Sequence, residues 1–528
     1  IPVISRDGLL PLSFAQQRLW FLDELTPEDP MYNVPWMMRI KGSVDAAALE
    51  TALNEVVARH ESLRTVFPNK NGEATQLIQN ELHIPLEQVD LRGASEADLQ
   101  SRLTQLAQTP FRLSEGPLLR VTLLRTDKQS YALSLIVHHI IFDAWSHGVF
   151  LRELAGFYNA ALHQKTLQLP PLSVEFADYA ASQRAWFGSE DFNQQLDYWT
   201  DQLGDAPGVS EIHTDRPRPA VQTSNGANVF RFLSDDLHSG LQSIMRSEGC
   251  TLFSVMMTAF NVLISRYSGQ DDLVIGTPIA GRKRSELEDI IGFFLHTLAI
   301  RTDLSGDPQF NKLLQRVNDS ILNGFEHQEL PFETLVEELG VERDTSRSPI
   351  FQIMFVLQHV ELDWEMFEGL QTEPLNFEFG TAKYDMMFFV FETADGLAAR
   401  LEYNTDLFDG TSMERLLDHF ETLLSGIVAN PKQTIGQIPL LKDSEQKQML
   451  VDWNQTNFDY PSNETMHSLF EQQAARIPEE NALYFDGEEL SYRELNRRAN
   501  KLAQQLIENG AGPDVLVGIC IERCIEMV

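Results

Sequence analysis

Apolar and polar positions along the chain switch between a strand-like and a helix-like period. The switch is clearest from Leu133 to Phe150, LSLIVHHIIFDAWSHGVF. Leu133 to Val137 is an apolar run, broken only by Ser134, that predicts a buried strand, and it leads straight into His138 and His139. After Asp143, the residues Val149, Phe150, Leu154 and Phe157 recur at helical spacing. The two histidines and the aspartate therefore fall at a strand-to-helix connection, where functional groups are commonly presented. On a strand, adjacent side chains point to opposite faces, so one histidine is expected to be packed and the other to face a cavity. Asp143 offers a carboxylate to orient or ion-pair a neighbour. No Cys or Glu-x-x-His pattern accompanies the histidines, and no metal is expected.

The same reading extends along the chain. Leu10 to Leu25 has helical periodicity at Phe14, Leu19, Leu22 and Leu25, with Ser13 as a cap. Asp45 to His60 predicts a helix capped by Asp45, with Leu49, Leu53, Val56 and Val57 as its stripe. Arg64 follows in a short β-like run. Leu167 to Ser173 is a Pro-rich turn region, and Glu175 to Trp186 is helical in pattern. The second half repeats this outline. Thr251 to Tyr267 predicts a strongly apolar helix, and Asp272 to Ile279 a strand ending in a Gly281-Arg282 turn. Tyr403 to Phe420 reads as strand, Asp409-Gly410 turn and amphipathic helix. The pattern loosens from Asn430 to Pro461, as in a linker. A new pattern follows, with a helix over Leu490 to Gly510 and a strand over Val515 to Glu522.

A chain of 528 residues exceeds one ordinary core, so two or more domains are expected. The formal net charge of −36 argues against nucleic-acid and anionic membrane surfaces as partners. No run of eighteen or more apolar residues occurs. The first residues show no basic segment followed by an apolar one, so no signal peptide is expected. Cys250, Cys520 and Cys524 are too scattered for a disulfide framework, and a cytoplasmic location is expected.

HHIIFDAWS, from His138 to Ser146, resembles the HHxxxDG core motif of the condensation domains of non-ribosomal peptide synthetases, with Ala144 where that family usually has Gly. Ala there is a mild departure unless the backbone needs a positive φ. LPLSFAQQRLWFLDEL resembles the first motif of the family, RHESLRTVF the second and EFADYAASQRAW the fourth. IGFFLHTLAIR resembles the fifth, with His296 in a place where Asn is usual and therefore expected to serve as a neutral polar substitute. HQELPFETLVEEL and RDTSRSPIFQIMFVLQ resemble the sixth and seventh, and LSYRELN resembles the first motif of adenylation domains.

The resemblance implies an α/β fold: two chloramphenicol-acetyltransferase-like lobes in a V-shaped pseudo-dimer with a central tunnel, plus a partial adenylation-domain segment. The expected division is a linker tail over 1–9, an N-lobe over 10–175, a C-lobe over 176–445, a linker over 446–464 and a truncated adenylation N-terminus over 465–528, so that the chain is cut from a longer one. The last segment is expected to have no core of its own.

The implied reaction is peptide-bond formation between a donor thioester and an acceptor α-amine. Both are carried on phosphopantetheine arms of an upstream and a downstream carrier domain. The chain itself is expected to bind no cofactor, and its own adenylation domain is a further partner. His139 matches the catalytic position, as a general base or as a group that positions the amine. His138, Asp143, Ala144, Trp145 and Ser146 would shape the site, and the resemblance pairs Asp143 with Arg64. His296, Asn404 and Asp409 are candidates for tunnel or second-half motif positions. The motifs around Leu10 to Leu25 and Ile291 to Arg301 resemble the class that takes an L-configured donor. Epimerisation of a tethered residue and a non-catalytic recruiting module of the same fold are the alternatives.

Overall fold

The computed structural model describes residues 1–528 except 71, 211, 342–343, 360–364, 376, 378 and 394–395. Arg343, the first residue of the stretch resembling the seventh motif, lies outside the described residues. The chain divides into two compact units, Ile1–Lys442 and Asp443–Val528.

The first unit holds two large sheets, each with its own apolar core, and two small two-stranded ladders among the described residues. Its strands, in chain order, begin with β1 (Asn33–Gly42), followed by four two-residue strands, β2 (Thr65–Val66), β3 (Asn69–Lys70), β4 (Glu73–Ala74) and β5 (Leu77–Ile78). Then come β6 (Leu86–Asp90), β7 (Leu119–Asp127), β8 (Ser130–His138), β9 (Gly226–Phe232), β10 (Asp272–Ile279) and β11 (His296–Asp303). The series ends with β12 (Ile353–His359), β13 (Leu370–Pro374), β14 (Met386–Thr393) and β15 (Gly396–Asn404).

The first sheet has the order β13-β1-β8-β7-β6. Its central strand β8 is buried from Ala132 to His138, which is why its sequence reads as a largely apolar run, broken by Ser134. Helices Ala46–Arg59 and Ala144–Leu162 pack against each other beside this sheet. The second sheet has the order β11-β10-β12-β14-β15-β9. Its core is organised by helix Leu252–Ser268, in which every residue from Ser254 to Ile264 is buried. A helix apolar all round belongs in a core. Within the helix Thr258 Oγ1 donates to Ser254 O (2.6 Å) and Asn261 Nδ2 to Met257 O (2.9 Å), while Asn261 Oδ1 is buried without a partner among the described residues.

The first lobe is not closed by the first half of the chain alone. Leu287, Ile290, Ile291, Phe293 and Phe294 from the loop before β11, together with Phe367, Leu370 and Leu375 around β13, bury in its core. β13 itself pairs antiparallel with β1. This exchange carries second-half residues to the end of β8, where the histidines lie.

In the second unit, helix Asp443–Leu450 has no buried residue. Helix Met466–Arg476, β16 (Asn481–Phe485), β17 (Glu488–Ser491) and helix Tyr492–Glu508 follow. Contrary to expectation, this unit has a small core of its own, Leu490, Leu495 and Ile525, with Phe470, Ala482 and Leu483 against it. The predicted helix starts later than Leu490, which lies in β17, because Ser491 caps it by accepting from Glu494 N (3.3 Å). The predicted strand Val515 to Glu522 is not formed. A strand needs a neighbour for its backbone N–H and C=O groups. None pairs with this segment among the described residues, and Leu516 and Ile519 are 99% and 74% exposed.

Candidate active site

The end of β8 sets the site. His138 is the last strand residue, paired with Asn33 of β1 and 4% exposed. Its Nδ1 accepts from Ile140 N (3.2 Å), and its ring meets Phe111 edge-on at 6.1 Å. Burial pushes its pKa down to about 3, with His139 and Lys383 adding to the fall. His138 is thus a neutral packed group.

His139 is not the next residue of a strand, as expected, but the first of a single 3-10 turn, His139–Ile141. The turn, rather than strand alternation, separates the two imidazoles. His139 is partly buried, and its ring packs edge-on against Phe293 at 4.8 Å. Its Nδ1 lies 2.7 Å from Phe142 O. A carbonyl only accepts, so Nδ1 carries the proton and Nε2 keeps its lone pair. Burial first, then the Lys383 charge, push its pKa down to about 3, against the Phe142 hydrogen bond.

Asp143 caps helix Ala144–Leu162, accepting from Ser146 N (2.8 Å). The predicted Asp143–Arg64 pair is not formed. Arg64 ends a 3-10 turn beside the β2–β5 ladder and donates to Gln79 O (2.5 Å). Asp143 instead takes Arg282 in a two-pronged pair, Nη1 to Oδ2 at 2.7 Å and Nη2 to Oδ1 at 3.1 Å, with both side chains buried. Phe294 N also donates to Oδ2 (3.0 Å). Arg282 reaches Asp143 because Gly281 turns the chain at φ +66°, and a Cβ at Gly281 would lie 2.0 Å from Phe294 O.

Ser146 is fully buried, and its Oγ receives Gly292 N (3.0 Å). Ala144 is the exposed first residue of the helix and is not among the positive-φ residues, so Gly is not required there. Trp145 is 47% exposed and donates from Nε1 to Glu288 O (2.8 Å). Both belong to the same first turn as Asp143.

His296 opens β11 and lies 2.9 Å from the Tyr179 hydroxyl through Nε2. Burial pushes its pKa down to about 4, so it is a neutral polar group at pH 7. The Tyr179 ring packs on Phe294 at 4.7 Å, which ties His296 to the Asp143 cluster. Asn404 and Asp409 have different surroundings. Asn404 Nδ2 donates to Thr223 O (2.8 Å), and Asp409 pairs with Arg216 and donates its own N–H to Asp215 Oδ2 (2.8 Å). Their contacts bind the 215–225 segment to the second lobe, not to the histidines.

The description "Condensation domain" matches residues 6–450, and "AMP-binding enzyme" matches residues 470–528. The chain belongs to the condensation-domain family, the amide-bond-forming enzymes of non-ribosomal peptide synthetases. It is 46% identical to a linear gramicidin synthase of Brevibacillus parabrevis over 99% of its length, and 43% identical to chondramide synthase of Chondromyces crocatus over 98%. It spans only 10% of the first and 13% of the second. Among solved structures, it is similar to a four-domain non-ribosomal peptide synthetase bound to AMP and glycine. The TM-score is 0.82 with 25% identity, over 97% of this chain and 39% of that one. The X-domain from teicoplanin biosynthesis is similar with TM-score 0.77 and 29% identity, over 83% of this chain and 99% of that one.

Within this condensation domain, sequence patterning did not single out Arg282 beyond a turn. It also missed Phe293, which holds the His139 ring, and Lys383, whose charge acts on both imidazoles. Only the Gly281-Arg282 pair carried any signal: a glycine next to a cation at a strand end.

Proposed function

We propose that this chain forms a peptide bond between a donor thioester of L configuration and the α-amine of an acceptor thioester. Both are delivered on phosphopantetheine arms by upstream and downstream carrier domains in the cytoplasm. The single observation that carries the reading is the tautomer of His139. Its Nδ1 is tied to Phe142 O, so Nε2 offers a lone pair from a ring that burial keeps neutral. A free α-amine has a pKa of about 8. An imidazole pushed down to about 3 does not take a proton from the ground-state ammonium, so His139 acts by accepting a hydrogen bond from the free amine and aiming its lone pair. As the amine nitrogen bonds to the thioester carbon, the carbon–sulfur bond breaks. The surplus amine proton ends on the departing thiolate. His138 and the Asp143–Arg282 pair hold the backbone on either side of His139. Arg64 supports the β2–β5 ladder.

The test uses wild type and His139→Ala with a panel of chemically loaded L-aminoacyl carriers, the acceptor analysed by mass spectrometry. Wild type is expected to form the dipeptidyl acceptor with donor configuration retained, and the variant to form none. Product at an undiminished rate in the variant would overturn the role of His139. A similar X-domain from teicoplanin biosynthesis is seen in complex with OxyB, which favours one rival, a non-catalytic recruiting module. That reading predicts no dipeptide from wild type with any loaded pair. Accumulation of the D-isomer without dipeptide would indicate epimerisation.

A further inference from the structure

One cation, Lys383, stands near the histidines. Lys383 lies between β13 and β14, where the second half of the chain returns from the first-lobe sheet. It is partly buried, and its ammonium sits 5.3 Å above the Tyr32 ring. Tyr32 directly precedes Asn33, the residue that pairs with His138 across β1 and β8. Lys383 therefore stands at the histidine end of the sheet, and its charge disfavours the protonated form of both imidazoles.

Charged groups of both signs surround it. Arg18, from helix Phe14–Leu25, adds a like charge, although Glu333 pairs with Arg18 at 3.3 Å. Glu402 of β15 favours the lysine cation, but burial raises that carboxyl's own pKa. Tyr32 stays neutral, pushed up to about 12 by burial. Burial in turn holds the Lys383 amine down to about 8. A lysine that served packing alone would extend its amine to water or to a carboxylate.

We propose that Lys383 is a positioning residue for condensation: its ammonium beside the histidine pair disfavours a second positive charge there, so the acceptor amine is received at His139 free and nucleophilic. The proposal rests on the reading of His139 given above. A like charge facing the same site lowers an amine's pKa, a shift of about one unit. At pH 7 an amine of pKa about 8 is roughly one-tenth free, and one of pKa about 7 is half free. The lysine thus supplies roughly a fivefold gain in reactive amine at neutral pH. That gain fades above pH 8 as Lys383 itself loses its proton.

The experiment measures single-turnover dipeptide formation between pH 6 and 9 in the full chain. It uses saturating acceptor and the most productive carrier pair from the L-aminoacyl panel. Lys383→Met is expected to move the acid limb up by about one pH unit. The variant would be roughly five- to tenfold slower at pH 6.5 and match wild type near pH 9. Lys383→Arg keeps the charge and is expected to keep the wild-type limb. An equal loss at every pH in Lys383→Met, an unchanged limb, or an Arg variant that behaves like Met would each overturn the proposal. His139→Ala separates the two readings. If it is inactive while the Lys383→Met limb is unmoved, only the lysine proposal fails. If it keeps its full rate, the reading of His139 fails whatever the limb does.

Discussion

Arg282 and Asp143 are 1% and 2% exposed, and their pairing joins the first turn of helix Ala144–Leu162 to a loop from the second half of the chain. Removing one partner leaves the other charged and dry. Asp143→Asn keeps an oxygen for the Ser146 cap but not the charge, and it turns an amide N–H₂ or a neutral oxygen toward the guanidinium. Arg282→Met leaves the carboxylate with only Ser146 and Phe294 as donors. Each single change is expected to lower stability by about 3–5 kcal/mol, the size seen when a buried pair loses one member. The double variant should fall short of the sum by about 2–3 kcal/mol, because neither orphaned charge remains. Arg64→Ala removes one hydrogen bond to Gln79 O, an effect of about 1–2 kcal/mol, and should add to Asp143→Asn within about 0.5 kcal/mol. Urea unfolding followed by tryptophan fluorescence provides the four-corner cycles. Strong coupling between Asp143 and Arg64, with Asp143 and Arg282 additive, would refute the assignment of partners.

Two further outcomes follow from the same geometry. His138 is buried neutral with its pKa pushed down to about 3, below the ordinary 6.5. The unfolded chain therefore binds the proton first on acidification, and the contribution is whole above pH 6.5 and lost as pH falls toward 3. At pH 5 this group alone removes about 2 kcal/mol, and His138→Asn, measured by urea midpoints from pH 5 to 8, should flatten the slope. Ala144→Gly should leave the dipeptide rate unchanged and lower stability by about 0.5–1 kcal/mol, since Ala144 is an exposed helical residue; a gain in rate would show that glycine is needed at that turn.

Local structure was legible wherever one period ran long enough. The strand Asp272–Ile279 was read to the residue, and the apolar helix after Thr251 and the Ser13 and Asp45 caps were read correctly. Three kinds of feature were not legible. The 3-10 turn at His139 is three residues long, too short for a period to register, so the pair was read as an extension of the strand. The unformed strand after Val515 has suitable composition, but pairing depends on a neighbour that no local pattern specifies. The partner of Asp143 is a problem of a third kind. Arg282 lies 139 residues away, and nothing in its own neighbourhood says that the loop carrying it enters the other lobe's core.

That exchange also explains why two adjacent histidines can differ so much. β8 and the turn after it would by themselves deliver two imidazoles to one apolar end of a sheet. The returning loop makes them unequal: Phe293 closes over His139, and Phe294 N fixes the Asp143 carboxylate four residues on. His138 meanwhile stays within the sheet against Phe111. Lys383 arrives from a third segment, on the chain's way back from β13. The Nε2 lone pair of His139 is therefore oriented by contacts from parts of the chain that separate if the lobes part. A change that loosens the Arg282 anchor should act on His139 through Phe293 and Phe294, and a change at Lys383 should act through charge without moving either ring. The first would lower the rate at every pH and the second only on the acid limb, so the shape of the profile reports which kind of support a given residue supplies.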